Sequence, residues 1–292
     1  MAPGQWGEVT CEHDGVTVAR LPYVIRGRPR LRMLTQSSLT QTLGPWLEPS
    51  PAKPARALAR EHELLAELEA KLPPAIAFSQ QFSPSVLNAL PFHWAGYRLE
   101  ARYTYRLRGL RASGDLWANL RDNVRREIRK ARKRVEVVED LGIDRFHNVL
   151  SRTYERQSIA TPHSLPELER LAAACRERGA GTTLFARDEA GHVHAAVWVV
   201  WDRNGAYYLL AGADPDLRTS GASSLLAWEA IARAGGHTDV FDFHGSMLQP
   251  VERFFRAFGA QQTMYLSVTR MNPALRLGLS ARSALFDRVA RG

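Results

Sequence analysis

Asp242 and His244 are the two residues of this sequence best placed for acid–base chemistry. They lie two residues apart at the carboxyl end of a predicted strand, 240–243, so alternation directs both side chains to one face of that strand. Ligands of open α/β sheets bind at the carboxyl ends of the strands. A neutral histidine can take a proton from an amine, and an aspartate beside it can orient the ring or stabilise its charge. We therefore predict a catalytic base, His244, with Asp242 as its partner. The alternative is a satisfied turn histidine beside an aspartate that caps a neighbouring backbone.

A loop between a predicted strand, 206–212, and a predicted helix, 221–234, is the second candidate site. The first N–H groups of a helix have no partner within it and carry partial positive charge, so they readily bind phosphate. Gly221 would let a pyrophosphate approach the backbone, and Arg218 would add a charged donor. The alternative is an ordinary helix cap. The predicted phosphate-binding residues are Arg218, Ser220, Gly221 and Ala222.

Basic residues are concentrated in one segment, 121–134, which holds eight basic and two acidic residues and so supplies +6 of the net charge of +9. Its arginines follow an apolar stripe by one residue, which places the two rows side by side on one helix. Such a row predicts binding to an anion such as a nucleic acid, and the alternative is a solvated helix face. The candidate nucleic-acid-binding residues are Arg121, Arg125, Arg129 and Arg132, and the stripe is Leu116, Leu120, Val124, Ile128 and Ala131.

The elements that position these residues follow the order β-α-α-β-β-β-α-β-α-β from residue 135 onward. The first hundred residues are typical of short strands between turns, with a helix that ends before Pro73 and a short helix, 86–90, that Pro91 stops. In the later part we predict strands at 135–139, 182–187, 192–201, 206–212, 240–243 and 263–269, and helices at 143–157, 166–178, 221–234 and 250–258.

Two segments near the carboxyl end carry a family resemblance: Phe241–Met247 reads FDFHGSM, and Glu252–Ala260 reads ERFFRAFGA. Together with the basic stretch Arg125–Lys133, they resemble the FemABX-like branch of the GNAT acyltransferase superfamily. The loop 218–223 resembles the one with which GNAT enzymes hold the coenzyme A pyrophosphate, with Ser223 where the family has Gly or Ala. The resemblance implies an α/β fold of two tandem GNAT-like domains with mixed central sheets, the first domain degenerate.

We expect four regions along the chain. A degenerate GNAT-like domain spans 1–110, and a basic helix at 111–134 links it to the second GNAT-like domain at 135–271. The remaining residues, 272–292, read as a basic helix whose leucines favour docking on the protein over anchoring in a membrane.

The resemblance implies an acyltransferase that moves an acyl or aminoacyl group from an activated donor to an amine by direct attack on the carbonyl. The arginine row and the positive net charge favour aminoacyl-tRNA as the donor, whereas the loop at 218–223 favours acyl-CoA. The acceptor is expected to be a small molecule or a cell-wall precursor, with peripheral membrane contact left open. We expect the strands to part near Ala211–Ala213, leaving an opening between Leu210 and Phe243. The alternative is a non-catalytic nucleic-acid-binding protein on a GNAT-like scaffold.

Composition excludes several other classes. The 292 residues are 45% hydrophobic and 24% charged, as in a globular protein rather than a disordered or fibrous one. No apolar run approaches the roughly 20 residues of a membrane-spanning helix, and the first residues lack the pattern of a signal peptide, so we expect a cytoplasmic protein. Two cysteines and no defensible histidine spacing predict neither a disulfide framework nor a metal site. The sequence does not predict the oligomeric state.

Overall fold

The computed structural model describes residues 5–28, 30–111, 113–155, 159–245 and 247–272. The chain divides into two compact units. The first unit comprises Ala2–Arg102 together with the segment that begins at Met264, and the second unit comprises Tyr103–Thr263. No helix in these ranges is long and apolar enough to cross a bilayer.

The structure contains twelve strands and eight α-helices within the described residues. The strands are β1 (Trp6–His13), β2 (Val16–Arg26), β3 (Met33–Thr35), β4 (Trp46–Leu47), β5 (Ala77–Gln81), β6 (Arg98–Arg108), β7 (Glu136–Glu139), β8 (Gly181–Arg187), β9 (Val193–Trp201), β10 (Ala206–Ala213), β11 (Val240–Asp242) and β12 (Gln261–Met271). The helices are α1 (Pro54–Ala70), α2 (Leu90–Trp94), α3 (Ser113–Asn119), α4 (Asp122–Ala131), α5 (Ile143–Glu155), α6 (Leu165–Arg178), α7 (Ala222–Ala234) and α8 (Gln249–Arg256). A single 3-10 turn, Arg218–Ser220, precedes α7.

In the first unit, the strand order is β1-β2-β3-β5-β12, with the short β4 also on β2. The β3–β5 pair is parallel and the other pairs are antiparallel. Helix α1 places Leu65 and Leu68 in a core with Phe82 and Phe92, because the leucines recur on one face of the helix.

In the second unit, the strand order is β6-β11-β10-β9-β8-β7. Strands β10 and β11 run parallel, and the other neighbours are antiparallel. The predicted order of elements from residue 135 to residue 269 is confirmed, with ends that shift by one or two residues where they lie in the described part.

Helices cover both faces of the second unit's sheet. Along β9, Val197 and Val199 pack in the core with α4 and α7. Trp198, between them in sequence, instead contacts Phe146 of α5, with ring centroids 5.8 Å apart. Because successive side chains of a strand point to opposite faces, α4 and α7 lie on one face and α5 on the other.

The basic segment differs from the single helix that we predicted. Leu116 and the other four residues of the apolar stripe are buried, as expected. However, the chain breaks between α3 and α4, because Arg121 has extended backbone angles and its N–H donates to the carbonyl of Ala257 at 3.0 Å. The segment 111–134 lies inside the second unit and contributes to its core, so it is not a linker helix.

Three further predictions are corrected or lie outside the described residues. Pro91 does not stop a helix at 86–90, but lies in the first turn of α2, where its missing N–H has no helical partner to lose. The C-terminal part of β12 belongs to the first unit rather than to the second domain. The predicted C-terminal helix, 272–292, lies outside the described residues except for Asn272.

Candidate active site

Strands β10 and β11 pair at only two positions, the second of which joins Tyr207 to Asp242. The register of β10 against β9 then shifts between Tyr208 and Leu210, which marks a β-bulge. A bulge bends the strand that carries it and interrupts its ladder. Beyond the bulge, the edge of β10 is therefore turned away from β11.

A cavity of about 660 Å³ occupies the opening between the two strands. Both Leu210 and Phe243 line it, so the predicted opening between these residues is confirmed. Its volume lies in the range of small-molecule sites, roughly 300–1,000 Å³.

The cavity has walls on both faces of the sheet. Thr153 and Tyr154 of α5 line it on one face, and Leu226 of α7 and Phe254 of α8 line it on the other. The cavity therefore lies at the level of the sheet, between helices that cover its two faces.

Asp242 is buried, and its carboxylate accepts three hydrogen bonds. Thr104 Oγ1 at 2.5 Å and the backbone N–H of His244 at 2.8 Å donate to Oδ1, and Arg106 Nε at 2.6 Å donates to Oδ2. The structure corrects the predicted contact, because the carboxylate holds the main chain of His244 rather than its imidazole. Strand β11 ends at Asp242, so alternation does not extend to residue 244.

His244 lies in the cavity wall with a left-handed backbone, φ 64°. Burial lowers the pKa of its imidazole to about 4, although the negative charge of Asp242 and the main chain of Leu209 oppose this decrease. The ring is therefore neutral at neutral pH and has a nitrogen lone pair that can accept a proton. Its role as a base stays a prediction.

Tyr208 faces the same cavity and is almost fully buried among Phe241, Phe243 and Phe255. Burial raises the pKa of its phenol well above the usual range, so the hydroxyl keeps its proton at neutral pH. Of the two neighbouring tyrosines of β10, Tyr208 is the buried one, whereas Tyr207 is partly exposed.

The predicted phosphate-binding residues lie at the start of α7. Arg218 is exposed in the 3-10 turn, and Ser220 is buried with its Oγ accepting the N–H of Ala222 at 3.3 Å. None of these residues lines the cavity, and within the described part of this loop Ser223 is the residue that does. Phosphate binding at this loop stays a prediction.

Gly221 has a reason to be glycine that does not involve a ligand. Its φ is 84°, and a Cβ there would collide with the carbonyl oxygen of Glu127 on α4. The same Cβ would lie 3.0 Å from Glu127 Oε2, so a carboxylate lies beside the first turn of α7. A negative charge at a helix N-terminus occupies the place that suits a phosphate and repels one.

Arg125 belongs to the structure of the α3–α4 corner. Its guanidinium donates to the carbonyl of Ala118 at 2.9 Å and to the carboxylate of Asp122. The hydrogen bond from Arg125, together with its positive charge, holds the pKa of Asp122 below its usual range. Replacing Arg125 would therefore disturb the fold as well as any nucleic-acid contact.

The other three arginines of the row are exposed. Arg129 and Arg132 each lie over the ring of Trp117, 5.9 Å from its centroid, and Arg132 also contacts Glu229 at 3.4 Å. Arg121 precedes α4. Nucleic-acid binding by these residues stays a prediction.

Several residues of the site could not be predicted from the sequence. Thr104 and Arg106 reach Asp242 from β6, across more than 130 residues of sequence. Thr153 Oγ1 accepts the N–H of Ala213 at 2.9 Å and so covers the end of β10. Alternation places Thr104 and Arg106 on the same face of β6, but no local pattern indicates that β6 pairs with β11. Elsewhere in the described ranges, no group of three or more His, Cys, Asp or Glu residues could hold a metal ion.

Residues 118–256 match a family model described as an acetyltransferase (GNAT) domain. No curated protein shows significant sequence similarity to the chain. Similar solved structures include FemX, at 12% identity and a TM-score of 0.65 over 89% of this chain and 87% of that one.

Two more solved structures cover most of the chain. The C-terminal domain (DUF2156) of a putative lysylphosphatidylglycerol synthetase from Agrobacterium fabrum has 15% identity and a TM-score of 0.55, over 97% of this chain and 89% of that one. A tandem GNAT protein from the clavulanic acid biosynthesis pathway has 11% identity and a TM-score of 0.55, over 92% and 84%. The family match places a GNAT domain at residues 118–256, and the structural likenesses confirm the expected fold of two tandem GNAT-like domains, a fold similar to that of FemX.

Proposed function

We propose that this chain, a GNAT-superfamily protein through its domain at residues 118–256, transfers an acyl group from an activated donor to an amine. The reaction takes place in the cavity between β10 and β11. The observation that carries the proposal is a neutral histidine, His244, in the wall of a cavity that opens where two parallel strands part.

The reaction forms one bond and breaks one. The amine nitrogen attacks the donor carbonyl, an N–C bond forms, and the C–S or C–O bond to the carrier breaks. His244 is neutral and so can accept the proton that the amine loses, although its lowered pKa makes it a weaker base than an ordinary histidine. Much of the rate comes from holding the two reactants together in the cleft.

Tyr208 supports the departure of the carrier. Its phenol is protonated and faces the cavity, so it can donate a proton to the leaving sulfur or oxygen. Asp242 is a positioning residue, because it fixes the main chain of His244 and does not line the cavity.

The donor is acyl-CoA or aminoacyl-tRNA, and each has one feature against it. The carboxylate of Glu127 beside Gly221 disfavours a pyrophosphate at the start of α7. Contacts of Arg125 and Arg132 with carboxylates reduce the charge available to RNA. Binding of each donor at rising salt separates them, since RNA binding weakens steeply as salt rises.

The acceptor is an amine carried by a small molecule or a cell-wall precursor, as the resemblance to the FemABX-like branch suggests. Contact with a membrane surface would be tested by flotation with anionic liposomes at low salt. A protein that stays unbound there does not act at such a surface.

The test of the reaction is amide formation with a panel of amines and both donor types, followed by mass spectrometry. We expect His244→Gln to lower the rate by at least about 100-fold, the usual loss for a general base. The matched control is His237→Gln, which replaces an exposed histidine stacked on Trp201 and should leave the rate of amide formation unchanged. Absence of product with every pair, together with RNA binding that survives His244→Gln, would favour a non-catalytic nucleic-acid-binding protein.

A further inference from the structure

The inner wall of the cavity on the α7–α8 face is aromatic. Tyr208, Phe243 and Phe255 contact one another, with ring centroids 5.9 Å apart for Tyr208–Phe243 and 4.9 Å for Phe243–Phe255. Phe254 extends the wall, with its ring centroid 5.9 Å from that of Phe255. Leu226, which is fully buried, completes it. The two-carbon acetyl group would leave most of this apolar surface uncovered.

The cavity offers nothing to hold a charge at its inner end. Among its described lining residues there is no Asp, Glu, Lys or Arg, and the titratable ones are His244 and two tyrosines. The pKa of His244 is lowered to about 4 and that of Tyr208 is raised, so both side chains are neutral between pH 5 and pH 8. A charged group would therefore lose its water there without gaining a partner.

The mouth of the cavity is also apolar. Leu248 lines it and is 68% exposed, and Met247 beside it is 56% exposed. Pro250 and Val251 continue this surface into α8. An extended apolar chain could remain in contact with side chains from the mouth to the aromatic wall.

We propose that the acyl group transferred by this protein is apolar and longer than acetyl, an alkyl or aryl chain seated between α7 and α8. The inference rests on the proposed acyl transfer and adds the chemical class of the acyl group. The bond changes are those of the general reaction: the carbonyl of the apolar chain leaves its carrier and forms an amide with the acceptor. The same chain could arrive as a thioester of coenzyme A or as the side chain of an apolar amino acid on tRNA.

A chain-length series tests the proposal with thioester donors. The series uses acetyl-, butyryl-, hexanoyl- and octanoyl-CoA with one amine. We expect kcat/KM to rise about four-fold for each added methylene until the wall is covered, the value for burying a CH₂ group. A flat series, or one in which acetyl-CoA is best, would overturn the proposal.

A second arm uses tRNA charged with alanine, leucine, phenylalanine or lysine. The leucyl and phenylalanyl donors should react at least about ten-fold faster than the alanyl donor, and the lysyl donor slowest, because its ammonium has no partner. Preference for lysine would contradict the proposal, and activity in only one of the two arms would identify the carrier.

A paired substitution on α8 locates the chain. Val251→Phe narrows the cavity, whereas Arg253→Phe adds the same ring to the exposed side of the same helix, outside the cavity lining. We expect Val251→Phe to reduce octanoyl transfer at least about ten-fold more than it reduces acetyl transfer, and Arg253→Phe to change neither. Equal effects of the two substitutions would place the chain elsewhere.

A binding measurement separates the failure of this inference from the failure of the proposed function. Unreactive N-alkyl amides of two to eight carbons are titrated against the unmodified protein, with the thermal midpoint as readout. If no donor is transferred but the longer amides stabilise the protein and Val251→Phe removes that effect, acyl transfer fails and the apolar site stands. If transfer occurs without dependence on chain length, the acyl transferase stands and the apolar site fails.

Discussion

The backbone of His244 is left-handed because a neighbouring carboxylate holds it there. A non-glycine residue with φ near 64° is strained, and the hydrogen bond from its N–H to Asp242 compensates part of that strain. Arg106 and Thr104 in turn hold Asp242. The direction of the imidazole thus depends on residues that never reach the cavity.

Asp242→Asn should destabilise the protein substantially. The substitution leaves the guanidinium of Arg106, itself largely buried, without its charged partner, and removing one member of a buried ion pair costs about 3 kcal/mol. Urea unfolding measures the change. Asp216→Asn, at an exposed carboxylate in the second unit, is the control and should cost less than about 1 kcal/mol. Equal losses for the two variants would contradict the role assigned to Asp242.

The stability of the protein should fall in acid partly because of His244. Its pKa is about 4 in the folded chain and about 6.5 when unfolded, so below pH 6.5 the unfolded chain binds a proton that the folded chain does not. This contribution is complete above pH 6.5 and is lost as the pH falls toward 4. In urea unfolding between pH 7.5 and pH 4.5, the unmodified protein should therefore lose stability relative to His244→Gln as the pH falls. A constant difference would show that the imidazole has an ordinary pKa.

At the scale of single residues, the sequence indicated His244 and Asp242 but not their relation. Residues two apart in a strand point to the same face. This rule does not apply to Asp242 and His244, because β11 ends at Asp242. The partners of Asp242 lie more than 130 residues earlier, so only the pairing of β6 with β11 brings them together. Local patterns carry no information about such long-range pairs.

The approach of α4 to the start of α7 is the packing feature that most constrains the second candidate site. Gly221 both adopts a left-handed backbone and lies against the main chain of Glu127. A glycine in such a loop is ambiguous from sequence alone, since close approach of a ligand and close approach of a helix require the same residue. The structure shows that the helix is sufficient to explain it.

Gly221→Ala should destabilise the protein more than a matched substitution. Both Gly221 and Gly179 have left-handed backbones, φ 84° and 57°, so each loses about 1 kcal/mol on replacement by alanine. Only at Gly221 does the new Cβ collide with backbone, while nothing lies within 4 Å of one at Gly179. Urea unfolding should therefore show at least about 1 kcal/mol more loss for Gly221→Ala. Equal losses would mean that α4 moves away without cost.

The elements from residue 135 onward could be predicted because their signals are local. Asn204-Gly205 lies between two apolar strands, and Gly179 ends α6 in a left-handed cap, as such residues do. The break between α3 and α4 could not be predicted, because the stripe of buried residues continues across it and its cause is the carbonyl of Ala257. The bulge in β10 leaves no sequence signal either, although it opens the cavity.

Fewer positive charges of the molecule are available to a binding partner than its net charge of +9 suggests. Several arginines of the basic segment contact carboxylates or lie over an aromatic ring, as Arg132 does with Glu229 and Trp117. By contrast, Arg126, Lys133 and Arg134 are exposed and form no ion pair within the described residues. Together with Arg121, which is also exposed and forms no ion pair within the described residues, these three cations are the free charge of the helix and its two ends.

This distribution makes a specific prediction about RNA. If the protein binds tRNA, each phosphate contact made by a free cation contributes roughly 0.7 to 0.9 to the slope of log K against log salt. Replacing Arg126, Lys133 and Arg134 together by glutamine should reduce the slope by about 2 and leave the thermal midpoint unchanged, because all three side chains are exposed. Filter binding between 50 and 300 mM salt measures the slope.

Arg125→Gln supplies the opposite control on the same helix. Its guanidinium holds the carbonyl of Ala118 and the carboxylate of Asp122, so its loss should lower the thermal midpoint while changing the salt slope by less than about 1. If the triple variant keeps the full slope and Arg125→Gln loses most of it, the predicted row of arginines, and not the three free cations, contacts the nucleic acid. Absence of salt-dependent RNA binding in the unmodified protein would remove tRNA as the carrier and leave coenzyme A.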